Sequence, residues 1–200
     1  MTSHYYNNNL ETKSLEKTFS VNLLGNELTF ITDHGVFSKE RVDYGSRVLI
    51  ESWMREPWYK KVLEVGCGYG PIGISLAKAY PDIHFDLIDV NLRALDLTKR
   101  NAKLNNVNNV NVFESNIYEK ITDKYDCIIS NPPIRAGKAI VHKILEDAFH
   151  HLNENGSIFV VIQKKQGAPS AEKKLAQVFG NVEIVCRDKG YYVLKSSKKI

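Results

Sequence analysis

Apolar and polar positions follow two different patterns along the chain, and the change between them divides the sequence. Within residues 18–33, two runs of alternating apolar residues meet at Gly25-Asn26, which is typical of a β-hairpin. From Asp43, a candidate N-cap, apolar residues follow helical spacing until the segment ends before a proline. We therefore predict an N-terminal extension, residues 1–58, that contributes a hairpin and a helix.

From residue 59 onward, short apolar runs alternate with amphipathic segments of helical period. This order is typical of an α/β fold in which right-handed crossovers join parallel strands and helices cover both faces of the sheet. The last two strands flank residues 188–190 with no helix between them, so the final strand should run antiparallel to its neighbour. We predict a single domain with its core over residues 59–200. The predicted strands are 62–66, 83–89, 109–115, 125–130 and 157–163, followed by the final pair, and the predicted helices are 72–80, 92–104, 139–152 and 171–179.

Composition narrows the function classes only slightly. The 200 residues contain 43% hydrophobic side chains, enough for a domain that buries about two thirds of its extended surface. Lys and Arg exceed Asp and Glu by 27 − 23 = +4, a small basic excess that hints at nucleic acid. With neither a membrane span nor the order of a signal peptide, we expect a soluble, cytoplasmic protein. Three widely spaced cysteines favour neither disulfides nor a zinc site, and no metal site is predicted.

A glycine-rich loop, EVGCGYGPIG, connects the first strand of the core to its first helix. Ligands of such sheets bind beyond the carboxyl ends of the strands, and glycines permit a sharp turn and a close approach of ligand to backbone. The G-x-G-x-x-G spacing also occurs in dinucleotide-binding proteins, but alone it is a weak signal. The predicted cofactor-binding positions here are Glu64, Gly66, Cys67, Gly68 and Gly70, with Cys67 interpreted as a small packing residue.

Two carboxylates and one asparagine indicate which cofactor the loop binds. Glu64 ends the first strand, where it would repel a pyrophosphate and favour a cationic amino group. Asp89, followed by Val90, ends the second strand and is placed to accept both hydroxyls of a ribose. A ligand with a ribose, a cation and no phosphate is S-adenosylmethionine rather than NAD. Asn116, followed by Ile117, could reach the adenine edge, and a turn role for this asparagine is an equal alternative.

The fourth strand ends in Asn131-Pro132-Pro133 at the same edge of the sheet. Proline fixes its own φ, pushes the preceding residue out of the helical region and has no N–H. The Asn131 amide oxygen and a rigid backbone carbonyl could then accept both hydrogens of an –NH₂ group. We interpret Asn131, Pro132 and Pro133 as a catalytic clamp that aims the lone pair of a weakly nucleophilic amine at a sulfonium methyl. Asn131 is also predicted to contact the cofactor. Asn-Pro is also a common turn signal, so a purely structural role is the alternative.

The motifs EVGCGYG, LIDVN and SNPPIRAGK resemble those of class I S-adenosylmethionine-dependent methyltransferases that modify amino nitrogens. With GVFSKERVDYGSRVLIE upstream, they are similar to the small-subunit ribosomal RNA guanine-N2 methyltransferase family, in a short single-domain form, from residue 18 to the C-terminus. The resemblance implies a Rossmann-like, three-layer α/β/α fold with about seven strands, the last one antiparallel. It also implies that Asn131 and Pro132 engage the target amine and that the VFSKERVDYGS loop lies near cofactor and acceptor.

The chain departs from this family in two places. Many amino-methylating relatives carry an aromatic residue after the two prolines, whereas Ile134 stands here, and Phe37 of the upstream loop is a candidate for the missing stacking face. Larger members of the family carry an additional N-terminal domain, so the resemblance does not indicate how this shorter chain binds RNA. Arg135 and Lys138 follow the clamp where a phosphate backbone could pass, or they are simply exposed charges.

These motifs predict an S-adenosylmethionine-dependent methyltransferase that acts on guanine N2 of small-subunit ribosomal RNA. Its partner would be naked RNA or the small ribosomal subunit, and the chain would be a monomer or a homodimer. Release-factor glutamine N-methyltransferases share Asn-Pro-Pro but typically follow it with an aromatic residue. A catalytically silent cofactor-binding module associated with the ribosome is the alternative from another class.

Overall fold

The computed structural model describes residues 15–34, 36 and 41–199. It begins with an antiparallel hairpin of β1 (Lys17–Leu23) and β2 (Asn26–Thr32). Leu24 and Gly25 connect the strands with φ angles of 50° and 76°, the positive values that a two-residue type I′ turn requires. The connecting pair therefore lies one residue before the predicted Gly25-Asn26, because Asn26 already pairs with Leu23.

A seven-stranded sheet forms the centre of the molecule, in the order β5-β4-β3-β6-β7-β9-β8. Strands β3 to β7 are parallel to one another. The final strand, β9, lies between β7 and β8 and runs antiparallel to both, which confirms its predicted direction. The strands are β3 (Lys61–Val65), β4 (His84–Asp89), β5 (Val110–Glu114), β6 (Tyr125–Ser130), β7 (Leu152–Gln163), β8 (Glu183–Asp188) and β9 (Tyr191–Ser197).

Five helices cover the two faces of this sheet, and none of the described helices is long and apolar enough to cross a membrane. The side chains of Cys127 and Ile129 in β6 join the core on one face, and Ile128 joins the core on the other. Burial on both faces explains why consecutive residues 127–129 of β6 are apolar. The hairpin, α1 (Tyr44–Ser52), α2 (Pro71–Ala79) and α3 (Leu92–Leu104) pack on the first face, and α4 (Lys138–His151) and α5 (Ala168–Phe179) pack on the second.

Two element boundaries differ from the prediction by three residues or more. Helix α5 begins at Ala168 rather than at the predicted Ala171, because a proline is well accommodated in the first turn of a helix. Strand β7 begins at Leu152 rather than at the predicted Ser157. Its pairing with β6 shifts register after Leu152, and this irregularity hides the start of the strand from an alternating pattern.

Asn101 in α3 and Asn105 at the C-cap of that helix attach the hairpin to the core. The Asn105 side chain accepts the Thr29 N–H (2.9 Å) and donates to the Thr29 carbonyl (2.8 Å). The Asn101 side chain accepts the Ile31 N–H (2.8 Å) and donates to the Ile31 carbonyl (2.9 Å). Each amide thus bonds the edge of β2 as a neighbouring strand would. Asn101 also donates to the Tyr69 carbonyl (2.9 Å) in the glycine loop, so α3 links the hairpin to that loop.

Candidate active site

The glycine loop and the Asn-Pro-Pro segment leave two neighbouring strands at the same edge of the sheet. Strands β4 and β5 lie on one side of β3, whereas β6 and β7 lie on the other, so the strand order reverses between β3 and β6. Sheets of this type bind ligands at that point. The Ser130 hydroxyl donates to the Val65 carbonyl (2.8 Å) and joins the strand ends. Gly66 and Asn131 are the first residues after these two strands, at the same edge of the sheet.

The glycine loop leaves open space beside its backbone. Gly66 and Gly68 have φ angles of 79° and 58°, and a Cβ added at either position would meet no atom within 4 Å. A ligand can therefore approach the backbone closely at these two residues. Gly70 differs, because a Cβ there would lie 2.6 Å from Ile74 Cδ1, so its lack of a side chain also serves the packing of α2.

Two side chains behind the loop support its shape. The Thr98 hydroxyl donates to the Gly68 carbonyl (2.8 Å). Cys67 is buried, and burial raises the pKa of its thiol well above the usual value. A protonated, enclosed thiol is a poor nucleophile, which fits the interpretation of Cys67 as a packing residue.

Asp89 fixes the glycine loop from the end of β4. Its Oδ2 accepts the Gly68 N–H (2.9 Å) and its Oδ1 accepts the Asn91 N–H (2.9 Å). Burial raises the pKa of the Asp89 carboxyl, and backbone N–H groups, including that of Val90, counteract the rise. Each carboxylate oxygen keeps a second lone pair, so the predicted contact with ribose hydroxyls is compatible with these bonds.

Glu64 is a buried carboxyl beneath the first turn of α2. Burial raises its pKa to about 8, although the Gly73 N–H lowers it in part and the charge of Asp89 adds to the rise. A Cβ at Gly73 would come within 2.5 Å of Glu64 Oε2. Among the described residues, Oε2 has no hydrogen-bond partner, and such an atom calls for a donor or a cation. The predicted contact of Glu64 with a cationic amino group thus has a vacant acceptor to use.

Asn116 lies in the turn after β5. Its Nδ2 donates to Glu119 Oε1 (2.6 Å), whereas its buried Oδ1 has no partner within the described part of the chain. An unpaired acceptor suits the amino group of adenine, which is a donor. The next residue, Ile117, is buried with a φ of 53°, an unusual value for a β-branched residue. A turn role and an adenine contact are therefore compatible in this asparagine.

The side chain of Asn131 is held from the opposite end of the site by α1. Its Nδ2 donates to Asp43 Oδ1 (3.2 Å) and to Ser46 Oγ (3.0 Å). Because a carboxylate can only accept, the amide atom that faces Asp43 must be the nitrogen. Both N–H bonds are thereby used within the protein, and Asn131 Oδ1 remains as an acceptor. Asp43 is also the N-cap of α1, as predicted, and its Oδ1 accepts the Ser46 N–H (3.1 Å).

The residues after Asn131 follow the edge of the sheet towards α4. Pro132 is buried and Pro133 is half-buried, and a single 3₁₀ turn spans Ile134–Ala136. Ile134 packs against the core on the side of α4 and α5, while Arg135 and Lys138 are exposed. Phe37, the candidate stacking residue, lies outside the described residues.

Residues 27–195 match the family model described as methyltransferase small domain. The chain belongs to this family. Members of the methyltransferase small domain family transfer a methyl group, which agrees with a loop suited to S-adenosylmethionine beside an acceptor-rich Asn-Pro-Pro segment.

The chain is also similar to individual proteins of known sequence or structure. "Uncharacterized protein YbxB" of Bacillus subtilis (strain 168) is 45% identical over 200 residues, covering 99% of this chain and 100% of that protein. "Ribosomal RNA small subunit methyltransferase C" of Psychromonas ingrahamii is 30% identical, covering 92% of this chain and 52% of that protein. The solved Thermus thermophilus 16S rRNA N2 G1207 methyltransferase, in complex with AdoMet and guanosine, is 26% identical with a TM-score of 0.81, covering 94% and 52%.

These findings confirm the predicted family, fold and cofactor. The chain is an S-adenosylmethionine-dependent methyltransferase with a class I, Rossmann-like fold, and it resembles the methyltransferase C relatives. It spans about half the length of those ribosomal RNA methyltransferases.

Proposed function

We infer that this methyltransferase methylates the exocyclic N2 of a guanine in small-subunit ribosomal RNA. The observation that carries the proposal is the orientation of Asn131, whose amide nitrogen is bound by Asp43 and Ser46 so that only its oxygen faces a substrate. The names of the methyltransferase C relatives and of the Thermus structure support the same acceptor.

The arrangement suits an acceptor that is a poor nucleophile. The lone pair of a guanine amino group is delocalised into the ring, so positioning contributes most of the rate. Asn131 Oδ1 accepts one N–H, and a rigid backbone carbonyl of the Asn-Pro-Pro segment accepts the other. With both hydrogens fixed, the lone pair is aimed at the cofactor side of the site. Pro132 and Pro133 keep that backbone extended, and the proton can leave after transfer without a strong base.

We assign cofactor binding to residues at the carboxyl ends of β3, β4 and β5. S-adenosylmethionine supplies an electrophilic methyl group on its sulfonium when bound. Glu64 would pair with its cationic amino group, Asp89 would accept the ribose hydroxyls and Asn116 would accept from the adenine amino group. The remaining contacts are assigned to Gly66, Cys67, Gly68, Gly70, Val90 and Ile117.

The acceptor side is assigned to residues around the Asn-Pro-Pro segment. Ile134 would cover one edge of the base, with Phe37 of the upstream loop as the stacking face. Arg135 and Lys138 are exposed and would meet phosphates of the RNA.

Nucleoside mass spectrometry of ribosomal RNA tests the proposal. A strain without the gene is complemented with the wild-type protein, with Asn131→Ala, or with Lys103→Gln, an exposed position on α3. We expect N2-methylguanosine to fall without the gene and to return with wild type and Lys103→Gln but not with Asn131→Ala. If no methylated nucleoside changes, the guanine assignment is wrong, and protein glutamine becomes the next acceptor to test with the same variants.

A further inference from the structure

A cationic groove runs between α4 and α5 on the face of the sheet opposite to the glycine loop. Its volume is about 250 Å³, and both helices begin at the carboxyl edge of the sheet, after β6 and β7. We name it the α4–α5 groove, and it is lined by Lys138, His142, Ser170, Lys173, Lys174 and Gln177.

The charges of the groove have one sign. None of the residues that line it is acidic. The carboxylate of Glu146 pairs with one of the lining lysines, and its Oε2 lies 3.2 Å from Lys174 Nζ. Lys138 and Lys173 are exposed and form no ion pair with any described residue. Two ammonium groups are thus available to an anion in addition to the paired Lys174.

Neutral polar groups complete the lining. His142 Nε2 and Ser170 Oγ lie 3.0 Å apart. Burial lowers the pKa of His142, and the charges of Lys138 and Lys174 lower it further, against a smaller opposite effect of Glu146. The imidazole is therefore mainly neutral at pH 7, and the positive potential of the groove comes from its lysines. Hydroxyl and amide groups beside lysines are the set that contacts phosphate oxygens in nucleic-acid complexes.

The groove lies within reach of the proposed catalytic segment. Lys138 follows Asn131 by 138 − 131 = 7 residues, and seven residues span at most about 24 Å. Because Ile134–Ala136 form a 3₁₀ turn, the separation is shorter than this limit, and it is covered by fewer than about seven nucleotides even at the 3.4 Å rise of a duplex strand. A strand with one base at Asn131 can therefore continue over the edge of the sheet towards the groove.

We propose that the α4–α5 groove binds the phosphodiester backbone of the substrate RNA a few nucleotides from the target base. This inference rests on the proposed function and deepens it, because it assigns a surface of the catalytic domain to holding the substrate. Lys138 and Lys173 supply the charge, and Ser170 and Gln177 supply hydrogen bonds to phosphate oxygens.

The test compares two double variants that lose the same charge. Lys138→Gln/Lys173→Gln changes the groove, whereas Lys99→Gln/Lys103→Gln changes two exposed positions on α3, on the other face of the sheet. Binding of a labelled single-stranded fragment of small-subunit ribosomal RNA is measured between 50 and 200 mM salt, together with methylation kinetics, the Kd for S-adenosylmethionine and the thermal midpoint.

For the groove variant we expect RNA affinity at low salt to fall roughly ten-fold or more. The slope of log K against log salt should fall by about 1.4, or about 0.7 for each lost contact. KM for RNA should rise while kcat, cofactor affinity and thermal midpoint stay as in wild type, and the α3 variant should match wild type throughout. Unchanged affinity and salt slope in the groove variant would overturn the inference alone. A wild-type protein that neither binds nor methylates RNA would overturn the proposed function as well, so the two failures are distinguishable.

Discussion

Replacing Asp43 by serine separates its two roles, capping α1 and orienting Asn131. Serine is about as good an N-cap as aspartate, so the bond to the Ser46 N–H can be kept. Its shorter side chain cannot reach the Asn131 amide, which then loses its bond to a carboxylate and keeps only the bond to the Ser46 hydroxyl. A hydrogen bond to a charged group contributes about 1.5–3 kcal/mol. If this bond holds the Asn131 amide in its catalytic orientation, its loss raises the activation free energy by a similar amount, and kcat should fall roughly 10- to 100-fold.

Single-turnover methylation with saturating RNA and cofactor measures this effect, and thermal melts and cofactor titration provide the controls. Asp43→Ser should retain the wild-type cofactor Kd, and it should lose only the stability that the bond to Asn131 provides. Asp43→Ala should also lose about 1 kcal/mol of stability, because alanine cannot cap the helix. Ser46→Ala removes only a neutral partner and should have a smaller effect on kcat. A wild-type kcat in Asp43→Ser would refute the reasoning that this carboxylate orients Asn131.

Two further predictions concern the carboxyls of the cofactor side. The folded-state pKa of Glu64 is about 8, well above the unfolded value of about 4.3. The stability that the protonated Glu64 carboxyl contributes is therefore full below a pH of about 4.3 and is lost as pH rises through 8. Thermal melts from pH 5 to 8 should therefore show a weaker decline in Glu64→Gln, and an equal decline would argue against this origin. In Asp89→Asn, one oxygen that accepts a backbone N–H becomes a donor. Cofactor affinity measured by calorimetry should drop at least roughly ten-fold, whereas wild-type affinity would contradict the assigned role.

Local sequence patterns predicted the elements well because their periods are set by burial on one or both faces of the sheet. The predicted bounds of α3, residues 92–104, coincide with the observed helix. The position of β9 between β7 and β8 was not predicted, since a hairpin pattern specifies antiparallel direction but not which strand lies on the far side.

The sequence indicated individual residues of the candidate site but not the hydrogen bonds that join them across the chain. Asp43 was identified as a helix cap, but its bond to Asn131 joins residues 88 positions apart, and no local pattern carries such a contact. The roles of Asn101 and Asn105 were missed because their backbone partners in β2 lie 70 and 76 positions away in the sequence, although both side chains are buried. The surrounding pattern offered one signal, since the two asparagines are four residues apart and share one face of a helix.

The hydrogen bonds of Asn101 and Asn105 also indicate whether the hairpin and the rest of the chain are separate folding units. Asn101 is fully buried and Asn105 is 8% exposed, and both spend their amide groups on β2. Without the hairpin, the two side chains would lose four hydrogen bonds to Thr29 and Ile31, which contribute about 0.5–1.5 kcal/mol each. Their sum, roughly 2–6 kcal/mol, is a large part of the stability of a typical domain. We therefore expect the hairpin to support the cofactor loop through α3 and not to fold as an independent unit.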